Sequence, residues 1–190
     1  MKDIILISGK MGSGKTTLSN SITPILEQDG FTVHPIIFAQ TIYDIHDFAL
    51  KLLAERGVIR DIVKDRKLLK VLGLDWGRLT IDTDVWVKTT RGLIEKTRRD
   101  LPGKKNVFII SDCRFRNEFD NFPDALRVRL ECPEDIRKDR CTAWEDHSMH
   151  PSEIDLDNYS ESNKFDLKLY TNTSKSDKLA KIVTESLLES

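Results

Sequence analysis

An α/β fold on a five-stranded parallel sheet is what this sequence predicts, and two features predict it. Short apolar runs at 3–9, 31–39, 107–112, 125–133 and 165–172 alternate with longer stretches of helical periodicity. Strands separated by helices pair in parallel, because each crossover helix carries the chain back to the edge it left. The second feature is the segment GKMGSGKT at 9–16, which lies between the first apolar run and the first helical stretch.

The elements follow in order. DIILISG ends on a glycine and reads as a fully buried strand. The helix after it should stop at Gly30, with Pro24 as a kink or an early end. FTVHPIIFA is a second strand, and Pro35 suits a sheet edge. Residues 41–55 place Ile42, Ile45, Phe48, Ala49 and Leu52 at helical spacing, with Asp44, His46 and Asp47 on the wet face. A polar connector leads into a segment expected to be helical as far as Gly73. The sequence DTDVWVKTTRGLIEKTRRD opens on an N-cap signal and continues as a helix. VFIISD is the third strand. ALRVRLECP alternates apolar and charged residues and reads as the fourth. FDLKLYTN is the fifth, and an amphipathic helix closes the chain. One domain is expected, with a helical region at about 40–100 and a small lid at about 134–150.

Composition narrows the class. The 190 residues are 39% hydrophobic and 32% charged, enough for one packed core. Thirty cations against 31 anions argue against a nucleic-acid or membrane binder. Cys113, Cys132 and Cys141 are odd in number and lack close spacing, which fits reduced thiols in a cytoplasmic protein. No apolar run approaches the roughly 18 residues of a membrane span.

GKMGSGKT satisfies the phosphate-loop pattern in its required context, a buried strand before it and a helix after it. This makes the expected fold a P-loop NTPase fold that binds a nucleoside triphosphate. Gly9, Gly12 and Gly14 allow backbone conformations that turn the N–H groups of Met11, Ser13 and their neighbours inward. The helix that begins at Lys15, Thr16 and Thr17 aims its positive end at the same point. Lys15 is the cation for the terminal phosphates, and Thr16 offers a hydroxyl to Mg²⁺. Lys10 is a further phosphate or substrate contact. The loop alone leaves kinase, GTPase and mechanical ATPase open.

A dense charged box, SDCRFRNE at 111–118, follows the third strand. Ligands in open α/β sheets bind beyond the carboxyl ends of the strands. If this strand lies beside the first, Asp112 becomes a second Mg²⁺ contact and Arg114 a bidentate grip on an acceptor phosphate. Asn117 and Glu118 add polar contacts near a sugar or base, or form a salt-bridged helix cap. Trp76 and Trp86 offer flat faces for a nucleobase or belong to the core, and Arg78 is another cation for a phosphate or a solvated arginine.

Several segments together resemble the bacteriophage-type deoxynucleoside monophosphate kinases. ISDCRFRNE is similar to that family's SDVRFPNE box, and LGLDWGRLTIDTDVWVK to its LGTEWGR and DPDIWVK segments. IIFA, which contains Phe38 and Ala39, resembles SFADPLK. HPSEIDLDNY followed by FDLKLYTNTS resembles its Ser-Glu and FD endings. The likeness spans nearly the whole chain. It implies transfer of a phosphoryl group from ATP, with Mg²⁺, to a deoxynucleoside monophosphate. It further implies a lid in which Arg137 and Arg140 supply charge, an acceptor contact or lid brace from Ser152 and Glu153, and a donor-base edge at Asn172 and Thr173. Two departures stand out. Arg116 replaces the family's proline, and FAQTIYD lacks its Asp, Pro and Lys, leaving Arg66, Arg78 or Arg116 to supply the missing charge. Phosphomevalonate kinases of the animal type share the SD-x-R box and Ser-Glu segment and are the nearest rival; a nucleotide switch without an acceptor is the other. His147 and His150 with Asp146 and Glu153 are a weak metal motif, broken by Pro151. Monomer and homodimer stay open.

Overall fold

A computed structural model describes residues 1–141 and 151–190. The strands are β1 (Ile4–Gly9), β2 (Thr32–Ile36), β3 (Asn106–Cys113), β4 (Leu126–Glu131) and β5 (Leu167–Tyr170). They form one sheet in the order β2-β3-β1-β4-β5, every pair parallel. The expected arrangement of the first and third strands is therefore present. Pro35 lies on β2, an edge strand, where its missing N–H disturbs one ladder only.

Two compact units divide the chain, Met1–Ile36 with Thr97–Ser190, and Ile37–Lys96. In the first, alternate residues of the strands (Ile5 and Ile7, Val107 and Ile109, Leu126, Val128 and Leu130) make one apolar face. Helices α1 (Lys15–Gln28) and α9 (Ser176–Leu188) cover it with Leu18, Ile22, Leu26, Leu179, Val183 and Leu187. Pro24 does not end α1; the carbonyl it leaves without an N–H belongs to Asn20, an exposed residue. Gly30 does end it, at φ +83, with its N–H on the Glu27 carbonyl.

The opposite face of the sheet is less apolar than the alternation in β4 suggests. Arg127 lies on the Phe119 ring at 4.1 Å, and Arg129 is only 4% exposed. The charged face of β4 is thus interior, because α5 (Arg116–Asp120) and α8 (Asp157–Glu161) pack over it through Phe119, Tyr159 and Phe165.

The second unit holds α2 (Gln40–Glu55), α3 (Arg66–Lys70), a π-helical segment (Val71–Ile81) and most of α4 (Val85–Asp100). The helical reading that stopped at Gly73 is corrected here: the chain winds on through Gly77, with the Asp82 N–H reaching the Gly77 carbonyl five residues back. Gly77 makes this possible, since a Cβ there would sit 2.2 Å from the Trp86 ring. His46 is not on a wet face either. It is buried, its Nε2 accepts the Asp65 N–H at 3.0 Å, and Asp65 in turn caps α3. No helix among the described residues is long and apolar enough to cross a membrane.

Candidate active site

The register between β1 and β3 shifts between Leu6 and Ser8, so that Cys113 stands opposite Ser8. The extra length brings Asp112 and Arg114 level with the phosphate loop, though 100 residues separate them in sequence.

The loop itself is tightly seated. Gly12, at φ +76, faces the Arg137 backbone so closely that a Cβ would meet its carbonyl oxygen at 2.7 Å. Gly9 is confined in the same way by the Leu130 carbonyl. Lys15 Nζ donates to the carbonyls of Gly9 at 2.6 Å and Lys10 at 2.9 Å. Burial, and then the positive charge of Arg114, push its pKa down from 10.5 to about 7, against the opposing pull of Glu153 and Asp112. The Ser13 hydroxyl is buried without a hydrogen-bond partner. A desolvated cation and an orphaned hydroxyl inside a glycine cradle fit a polyphosphate.

Thr16 is exposed at the start of α1, and Asp112 is half-buried at the end of β3. Among the described residues no group of three or more His, Cys, Asp or Glu is placed to hold a metal ion. His147, His150 and Asp146 lie outside the described residues.

Arg114 Nη1 donates to Glu153 Oε1 at 2.5 Å, and Glu153 Oε2 accepts the Met11 N–H at 2.8 Å. Glu153 is 7% exposed and belongs to the four-residue helix α7 (Pro151–Ile154). A narrow cleft lies between Ser8–Lys10, Arg114, Arg129 and Ser152–Glu153. Glu118, a predicted sugar or base contact, has its carboxylate on the N–H groups of Arg114 and Phe115, at 2.8 and 3.1 Å. There it caps α5 and sets the backbone that carries Arg114. The Asn117 carbonyl takes the Asn121 amide.

The two lid arginines are anchored rather than extended. Arg137, 8% exposed on α6 (Glu134–Asp139), donates to the carbonyls of Met11 and Cys132, both at 3.1 Å. Arg140 reaches Thr171 Oγ1 at 3.1 Å and its carbonyl at 2.9 Å. Asn172 and Thr173 are exposed in the turn after β5. Thr171 in that turn is the side chain nearest Gly14. The expected lid runs to about 150, and its residues 142–150 lie outside the described residues.

Phe38, Ala39, Trp76, Arg78 and Trp86 belong to the other unit. Phe38 is buried, and Ala39 is the N-cap of α2. Trp86 is core: its indole N–H donates to the Gly73 carbonyl at 2.8 Å and its ring rests on Gly77. Trp76 is 41% exposed, and Arg78 lies 3.4 Å from the Thr83 carbonyl. Of the three cations offered for the missing family lysine, Arg116 is engaged by Asp155, through its own N–H at 2.7 Å and its Nε to the Asp155 carbonyl at 2.9 Å.

Sequence reasoning missed Arg129. Its guanidinium meets Ser8 Oγ at 3.1 Å, Glu131 Oε1 at 3.1 Å and Asp157 Oδ1 at 2.9 Å. Asp157 Oδ2 holds Lys10 Nζ at 2.9 Å. Arg129 therefore ties the root of the loop to α8 and aims Lys10 through Asp157. The signal was the alternation in β4, but only packing reveals that its charged face is interior. Arg129→Met should cost about 3 kcal/mol, the low end for breaking a buried pair, because both carboxylates keep some water. For a chain of this size the thermal midpoint should fall by roughly 6 to 12 °C. An unchanged midpoint in a melting experiment would refute the buttress.

The depressed Lys15 pKa makes a pH prediction. Its folded value lies below the unfolded one, so the charged form is disfavoured by folding, and this stability contribution grows as pH rises from about 7 towards 10.5. A bound anion reverses the preference. Polyphosphate binding at pH 8 should take up close to one proton in the wild type and none in Lys15→Arg, whose guanidinium does not titrate. Calorimetry in buffers of different ionisation enthalpy measures this, and a buffer-independent heat in the wild type would contradict it.

Three solved structures share this architecture. TT1252 from Thermus thermophilus aligns at TM-score 0.61 and 18% identity, over 99% of this chain and 97% of that one. The tunicamycin resistance protein of Deinococcus radiodurans aligns at 0.52 and 12%, over 97% and 94%. A shikimate kinase from Bacteroides thetaiotaomicron aligns at 0.50 and 15%, over the whole of both chains, 100% each. At such identities the likeness establishes fold alone. No curated protein matches the sequence. The model of the AAA domain family matches residues 5–163, which take in the phosphate loop, the β3 box and the Glu153 segment. With a glycine cradle at the end of β1 and β3 beside it, this chain has the P-loop NTPase fold and belongs to the AAA domain family.

Proposed function

We propose that this protein is a magnesium-dependent kinase that moves the γ-phosphoryl group of ATP onto a deoxynucleoside 5′-monophosphate, giving the diphosphate. The observation that carries this reading is the meeting of Arg114 with the phosphate loop, joined through one carboxylate, Glu153. A kinase needs an anion grip at that place to hold the acceptor phosphate. The structural likeness to a shikimate kinase supports a small-molecule acceptor.

ATP with Mg²⁺ supplies an activated phosphoryl group, and the acceptor phosphate oxygen is already a competent nucleophile. The protein's own part is positioning and neutralisation. The loop N–H groups and Lys15 hold the transferring phosphates. Arg114 orients an acceptor anion on the neighbouring strand end. Thr16 and Asp112 are the candidate metal contacts. Arg137 braces the loop through Met11. Arg140 and the turn at Asn172 and Thr173 are the candidate donor side.

A second reading, a phosphate kinase of the phosphomevalonate type, gains from Trp86. Its ring and N–H are engaged inside their own unit, which leaves Trp76 as the exposed tryptophan among the described residues for stacking on a base. A coupled ADP-release assay decides among the readings. ADP release that depends on a deoxynucleoside monophosphate is expected. Dependence on phosphomevalonate instead would select the second reading, and release indifferent to every acceptor would select an ATPase.

A further inference from the structure

The Met11 N–H belongs to the cradle that receives phosphate oxygens, yet a side chain of the protein itself accepts it. Glu153 presents two oxygens and one negative charge, one oxygen to the loop at 2.8 Å and the other to Arg114 at 2.5 Å. Its side chain is among the most buried of the acidic ones. This is the pattern of a phosphate edge, made from a carboxylate: a loop amide on one side and an arginine fork on the other. Lys15, meanwhile, is folded back on the Gly9 and Lys10 carbonyls. Two of the loop's polar groups, the Met11 N–H and the Lys15 ammonium, are thus satisfied internally.

Two other carboxylates of the same segment are held independently. Asp155 is tied to Arg116, and Asp157 to Arg129 and Lys10. The Glu153 side chain can therefore leave the loop by rotation while the segment keeps its anchors. What displaces it must outbid a carboxylate for an N–H and a guanidinium. A phosphate carrying two or more charges does so; an uncharged hydroxyl does not.

We propose that Glu153 is a built-in competitor for the phosphate loop, a specificity-determining residue whose carboxylate occupies the Met11 N–H and Arg114 until a polyanionic phosphate displaces it. The identity of that ligand as a nucleotide phosphate rests on the kinase reading above; the competition itself does not.

The test is the affinity of the full chain for MgATP and for inorganic tripolyphosphate, each without acceptor, in wild type and in Glu153→Gln. The amide keeps the shape and removes the charge. If the carboxylate occupies the loop in about nine molecules of ten, its loss should tighten both ligands by about tenfold. Equal or weaker binding by the variant overturns the inference, since a bracing or ligand-contacting role predicts a loss. If the amide variant fails to fold, Glu153→Asp retracts the charge by one methylene and is read by the same rule. Binding of neither probe to either protein overturns this inference together with the nucleotide reading. Tighter binding by the variant, with no phosphoryl transfer to any monophosphate by the wild type, supports the inference and overturns the proposed reaction alone.

Discussion

Lys15→Ala is expected to leave a folded protein whose turnover is reduced 100-fold or more. The loss corresponds to roughly 3 to 4 kcal/mol of barrier, the scale of removing one preorganised electrostatic stabiliser. The fold should survive because the Lys15 ammonium lies on two loop carbonyls in a site that disfavours its charge. Removing a desolvated cation relieves the folded state at neutral pH while it deprives the transition state of a countercharge. The combination to measure is an unchanged or higher thermal midpoint with a collapsed turnover number. Turnover within tenfold of the wild type would take Lys15 out of the mechanism.

Arg114→Ala should show a comparable loss of turnover with a different signature. Arg114 stands on the acceptor side, so the acceptor KM should rise as well as the turnover fall. Stability should also drop, since Glu153 would keep the Met11 N–H but lose its guanidinium partner in a site where it is 7% exposed. A buried carboxylate stripped of its charge partner is costly. Arg114→Lys should not rescue activity, because an ammonium cannot reproduce the planar two-point grip. Steady-state kinetics with varied acceptor, alongside a melting curve, separates the two effects. A near-normal turnover in Arg114→Ala would remove this residue from the proposed reaction.

The site was legible in the sequence in proportion to how local its determinants are. The loop is one contiguous motif, so Gly9, Gly12, Gly14 and Lys15 could be placed without knowing what surrounds them. Glu153 came only through a family resemblance, and its position on the Met11 N–H could not be read from spacing. Arg129 was passed over because alternation in a strand distinguishes two faces without saying which is wet. His46 was misplaced, and Trp86 left undecided between core and pocket, for the opposite reason. An aromatic ring and an imidazole suit a pocket or a surface, but each here has its polar atoms engaged inside its own unit.

By itself the sequence determined the alternation of strands and helices, the parallel sheet and the phosphate loop, because periodicity, buried apolar runs and glycine conformations act over a few residues. Tertiary structure alone decided that β3 lies beside β1 with a shifted register, that Arg129 is interior, and that Glu153 meets both Arg114 and the loop. The two Glu153 contacts join segments 39 and 142 residues apart. Only the packing of the sheet and its covering helices brings such segments within hydrogen-bonding distance, and no local pattern encodes that choice.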